Sequence, residues 1–72
     1  MSTKIADYKF TDYDSWTAAK NKLYDFLGNS YGNCITTETT ENGYVYWITI
    51  WDDCNYSREA GQICSANGGT PI

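Results

Sequence analysis

Residues 34–51 read Cys34-Ile35-Thr36-Thr37-Glu38-Thr39-Thr40-Glu41-Asn42-Gly43-Tyr44-Val45-Tyr46-Trp47-Ile48-Thr49-Ile50-Trp51. The central Asn42-Gly43 suits a two-residue type I′ turn, because both of its positions need positive φ. Residues 34–41 and 44–51 on either side are rich in β-branched and aromatic side chains, which fit a pleated, half-buried surface. The turn sets the register. Glu41 then faces Tyr44, Thr39 faces Tyr46, Thr37 faces Ile48 and Ile35 faces Ile50. On the opposite face Glu38 meets Trp47, Thr36 meets Thr49 and Cys34 meets Trp51.

On the N-terminal side, residues 4–10 alternate as a strand. Ala6, Tyr8 and Phe10 lie on one face and Ile5, Asp7 and Lys9 on the other. A helix follows, with Thr11 or Asp12 able to accept from the first-turn amides and Asp14 suited to the positive dipole end. Trp16, Ala19, Leu23, Phe26 and Leu27 form one apolar stripe at spacings of three and four. Lys20, Lys22 and Asp25 point elsewhere. Gly28 suits the position after the helix, and residues 29–33 read as a loop.

On the C-terminal side, Asp52, Asp53, Cys54 and Asn55 offer caps for a second helix over residues 55–66. Its stripe is Tyr56, Ala60, Ile63 and Cys64. Gly61 weakens that helix by about 1 kcal/mol relative to Ala. Gly68-Gly69 ends it, and the tail to Ile72 is too short for a further strand.

The order is βαββα. A right-handed crossover sets the first two strands parallel and lets the third insert between them. The expected fold is therefore α+β, one domain over residues 1–72. It has a three-stranded sheet of order 1-3-2 with two helices packed on one face, a ferredoxin-like arrangement lacking the last strand.

With 72 residues, folding hides only about 60% of the surface of the unfolded chain, so help from a disulfide, metal or partner is expected. Nine acidic against five basic side chains leave a net charge of −4. That balance disfavours a nucleic-acid backbone as main partner, since phosphate neutralisation needs clustered Lys and Arg. Residues 1–7 carry no apolar export segment and no 18-residue apolar run occurs, which predicts a cytoplasmic protein without membrane contact. The three cysteines fit that compartment as reduced, mostly buried thiols, Cys54 and Cys64 being the pair to join under oxidising conditions.

There is no His, hence neither the commonest general base nor the commonest metal ligand. No Gly-rich loop precedes a helix to cradle phosphate. Cys54 and Cys64 with Asp52 or Asp53 lack the spacing of a zinc site, and Cys64 reads better as helix core. Cys54 beside a helix start would ionise more readily, but a capping position without function explains it better. Asp52 and Asp53 point to opposite sides of a strand and read as caps. The chain is expected to be no enzyme, with no catalytic residue, metal or cofactor.

Residues 44–51 break the ordinary alternation, being apolar or aromatic on both faces. Tyr44, Tyr46, Ile48 and Ile50 match Ile35 and should lie under the helices. Val45, Trp47, Thr49 and Trp51 then face outward, with the two Trp about 13 Å apart at ~3.3 Å per residue. These four residues are the expected partner-binding site, for a protein chain and most simply a second copy, as a homodimer. A small accessory or phage gene product would suit this Asn-, Thr- and Tyr-rich acidic chain. Stacking of single-stranded nucleic acid is an alternative. Asn42-Gly43-Tyr44-Val45-Tyr46 partly matches the central-strand signature of RNA-recognition motifs, but lacks its basic first residue and needs the other face open. A thiol- or carboxylate-based enzyme is the third reading, and a sheet covered on both faces the fourth.

Overall fold

The computed structural model of the chain describes residues 3–40 and 43–72. Strand β1 (Lys4–Phe10) leads into helix α1 (Tyr13–Leu27), a 3-10 turn (Gly28–Ser30) and a single helical turn, α2 (Tyr31–Cys34). Strands β2 (Ile35–Thr39) and β3 (Tyr46–Trp51) follow, then helix α3 (Ser57–Ala66) and strand β4 (Thr70–Pro71). The sheet has four strands in the order β2-β3-β1-β4, each antiparallel to its neighbours. The α+β class and the neighbour order of the first three strands are as expected. The sheet is four-stranded, however, and the tail supplies the strand the sequence left out.

Hairpin register follows the Asn-Gly reading. Ile35 pairs with Ile50, Thr36 with Thr49, Thr37 with Ile48, Glu38 with Trp47 and Thr39 with Tyr46. Glu41 and Asn42, and with them the expected type I′ turn and the Glu41–Tyr44 pair, lie outside the described residues. Gly43 has φ of 72°, in the region that disfavours a Cβ, and its amide donates to the Thr40 carbonyl at 2.9 Å. β2 starts one residue later than expected, at Ile35, and β3 two residues later, at Tyr46, while β3 ends at Trp51 as expected. Cys34 closes α2, so it does not face Trp51 on the sheet.

Even-numbered residues of β1 and β3 point to the helices because side chains alternate along a strand. Phe10, Ile48 and Ile50 join Ile35, Trp16, Ala19, Leu23, Leu27, Ala60 and Cys64 in one buried cluster. Asp12 caps α1, its carboxylate accepting from the Ser15 amide at 2.9 Å. Phe26 is not in the core. It is 48% exposed and meets half-exposed Tyr56 edge-on, with ring centroids 5.6 Å apart. Tyr56 precedes α3 and is its N-cap, without a side-chain cap bond of its own, so the N-cap position falls on Tyr56 and not on Asp52, Asp53 or Asn55.

Two further expectations change. Residues 29–33 are helical turns that carry the chain down to Cys34. The last strand forms because α3 is closed tightly. Gly68 has φ of 93° and the Gly69 amide reaches the Cys64 carbonyl at 2.8 Å, which turns the tail onto β1. Thr70 then pairs with Lys9 and Pro71 with Tyr8, and the Ile72 amide donates to the Asp7 carbonyl at 3.0 Å. Pro71 fits there, because an outer strand needs no donor on its free side.

The cysteines depart most from expectation. Cys34 and Cys54 form a disulfide, with Cα atoms 4.5 Å apart, and Cys64 is the free, buried one. After β3 the chain doubles back, the Cys54 amide donating to the Trp51 carbonyl at 3.1 Å, which brings Cys54 beside the start of β2. Cys64 faces the core from α3, and burial pushes its thiol pKa up to about 12.

Candidate binding face

Both long helices bury their stripes against one side of the sheet, which leaves the other side without a layer. The central strand β3 shows it Trp47, Thr49 and Trp51, all partly exposed. Val45 lies just before β3, where its backbone pairs with Thr40, and it does not border the cleft described next. Three of the four expected residues therefore come together.

Trp47 and Trp51 border a shallow cleft of about 320 Å³, together with Thr49, Thr36, Glu38, Asp7 and Lys4. The register explains the company. Thr36 and Glu38 stand beside Thr49 and Trp47 from β2, while Asp7 and Lys9 stand beside the same two residues from β1. One row across the sheet thus reads Glu38, Trp47, Lys9, Thr70.

Lys4 reaches this face through a bulge. It pairs with Trp51, whereas Ala6 pairs with Ile50, so Ile5 is one extra residue on β1. An inserted residue shifts the alternation by one. Lys4 replaces Ile5 on the open face, contrary to the simple pattern, and Ile5 is exposed on the side toward α3. Residues three apart on a strand ordinarily point to opposite sides, but here the Lys4 ammonium donates to the Asp7 carboxylate at 2.7 Å.

The cleft floor is a connected polar set. The Thr49 hydroxyl donates to the second Asp7 oxygen at 2.6 Å. The Lys4 hydrogen bond foremost, and the Thr49 one after it, hold the Asp7 carboxyl below the usual aspartate value. Trp51 leans toward β2, its indole nitrogen donating to the Thr36 hydroxyl at 2.8 Å. Trp16 supports Trp47 from the helix side, donating to its carbonyl at 3.1 Å. Tyr46 points to that side and stacks on Trp16 at 4.9 Å between centroids, so this aromatic of the partial RNA-recognition signature lies away from the open face.

Cys54 is bonded to Cys34 and offers no thiol. The Asp52 carboxylate accepts from the Thr3 amide at 3.0 Å and extends the β1–β3 pairing. Among the described residues, no three of His, Cys, Asp and Glu gather where they could hold a metal ion. No described helix is long and apolar enough to cross a membrane.

Sequence reasoning placed Glu38 beside Trp47 and Thr36 beside Thr49, and missed Lys4 and Asp7 as neighbours of the Trp pair. The signal for Asp7 lay in the expected order of strands, which sets it beside Thr49. Compared with protein-family models, with curated proteins and with solved structures, the chain matches none.

Proposed function

We propose that this chain is a small non-catalytic interaction domain that docks another protein chain, its own copy included, on the open face of its sheet. The supporting observation is the placement of Trp47 and Trp51. Two large rings, partly exposed on the layerless face, frame one cleft with polar groups already paired along its floor. Aromatic anchors inside a polar surround are what a protein interface uses, and bonded floor groups lose little when water leaves. Trp47, Trp51 and Thr49 are the contact residues in this reading, with Val45 at its margin.

Single-stranded nucleic acid could also stack on two such rings. Asp7 and Glu38 beside them and the net charge of −4 oppose a phosphate backbone, so this is the second reading. As to compartment, the disulfide removes the support that three reduced thiols gave to a cytoplasmic location.

The experiment is a photo-crosslinking residue at position 49, with one at position 24 on the outer side of α1 as control. Protein adducts from position 49, lost on replacing Trp47 and Trp51 by Thr in a chain that keeps its melting transition, support the proposal. Adducts from position 24 alone would overturn it. Salt-sensitive retention of a single-stranded oligonucleotide would transfer the face to the second reading.

A further inference from the structure

The row Glu38, Trp47, Lys9 places opposite charges symmetrically about the central ring, one strand to each side. Strands lie about 4.8 Å apart, so the two Cα positions are separated by roughly 10 Å with Trp47 between them. Among the described residues neither Glu38 nor Lys9 has an ion-pair or hydrogen-bond partner for its side chain. An uneven charge pair of this kind is self-complementary under one symmetry. A two-fold axis running along β3, between two sheets laid face to face, keeps position along the strand and exchanges left for right. Glu38 of one copy then stands over Lys9 of the other, Lys9 over Glu38, and Trp47 over Trp47. An axis running across the strands keeps left on left and forms neither pair.

We infer that the occupant of the open face is a second copy of this chain, related by a two-fold axis along β3 and held by two reciprocal Glu38–Lys9 pairs around stacked Trp47 rings. This rests on the reading of the open face as a protein-docking surface and names its partner. An isologous contact of this sort needs the same patch on both chains to fit itself, which the row supplies. The neighbouring row adds no clash, since the Thr36 hydroxyl of one copy comes over Asp7 of the other. The face measures roughly 300 Å² in projection at ~3.3 Å per residue and ~4.8 Å per strand. That is small beside the ~800 Å² of accessible surface that each partner gives to a standard interface. The dimer is therefore a weak, concentration-dependent one in which the charge pairs decide the arrangement.

The test is a charge exchange read by analytical ultracentrifugation. E38K places two lysines over two lysines across the axis, and K9E places two carboxylates over two. Each variant alone should weaken self-association about tenfold or more, which is about 1.4 kcal/mol. Mixing the two monomeric variants should restore a dimer containing one of each, and the E38K/K9E double variant should dimerise like the wild type. A mixture that stays monomeric, or single variants that dimerise normally, would overturn the inference, as would a wild type that is monomeric at every concentration. Melting curves of both variants exclude misfolding as the cause. Because position-49 adducts with other proteins can persist when these results are negative, failure of the symmetric dimer is separable from failure of the docking face.

Discussion

Reduction of the Cys34–Cys54 bond should remove much of the stability of this chain. The bond joins residues 20 apart in sequence. In the chain-entropy treatment a loop of that size restricts the unfolded ensemble by about 11 cal/mol/K, or about 3 kcal/mol at 25 °C. A chain of 72 residues has a total stability of roughly 4–11 kcal/mol, so the loss is a large fraction. For a domain of this size each kcal/mol moves the midpoint by about 4–8 °C, which places the reduced chain roughly 10–25 °C below the oxidised one. Both cysteines are buried, so reduction also leaves two thiols in space shaped for a bond. The assay is thermal unfolding with and without a dithiol reductant, with a Cys34→Ala/Cys54→Ala variant that should melt low in both buffers. Thiol counting checks the assignment independently. Cys64, its ionisation suppressed by burial, should resist alkylation while the chain is folded. After unfolding without reductant one thiol should react, and with reductant all three. Melting that is indifferent to reductant would refute the entropic estimate, and three reactive thiols without reductant would remove the bond itself.

Gly69→Ala should destabilise by roughly 1–3 kcal/mol, as overpacking does, because its Cβ would stand 2.7 Å from Cζ of buried Phe10 and 2.8 Å from the Cys64 carbonyl oxygen. Gly32→Ala, with nothing within 4 Å, is the control; an equal loss there in urea titrations would defeat the steric account. Asp7→Asn should flatten the acid limb of stability. The folded carboxyl titrates below its ordinary value, so its contribution is present above the unfolded aspartate value and is lost as pH falls through the lowered folded value. Urea midpoints measured from neutral pH down into the acid range check the sign, and parallel acid limbs for wild type and variant would contradict it.

The hairpin and the buried faces were legible because they follow from local rules. The register expected for the hairpin is the one found from Ile35–Ile50 to Thr39–Tyr46, and alternation around Ile48 and Ile50 assigns the faces. α1 was legible apart from Phe26, which sits at the border of its stripe and pairs with Tyr56 outside the core. The features that escaped depend on contacts between distant parts of the chain. No glycine marks the bulge at Ile5. It appears only when β1 is laid against β3, with Lys4 level with Trp51. The Cys34–Cys54 pair depends on how the turn after Trp51 doubles back, and residue counting cannot see that. At the candidate face, the two Trp and Thr49 came from alternation alone. The Asp7–Thr49–Lys4 network needed both the strand order and the bulge.

The short strand β4 bears on the choice between docking modes. Sheets with bare edges can associate edge to edge, and β1 would be such an edge in a three-stranded version of this fold. Thr70, Pro71 and the Ile72 amide cover that side of β1, and Pro71 cannot donate to a further strand. The remaining long edge is β2, with Thr and Glu side chains and no proline or lysine to blunt it. Pairing through β2 is thus the one edge-to-edge mode the topology leaves strongly exposed. It differs from face-to-face docking in a measurable way. Lys9 lies two strands inward from the free side of β2, so K9E leaves a β2-mediated dimer intact and breaks a face-to-face one. An edge dimer would also leave Trp47 and Trp51 as accessible to an aqueous quencher in the associated state as in the dilute one, whereas docking across the face must shield both rings as concentration rises.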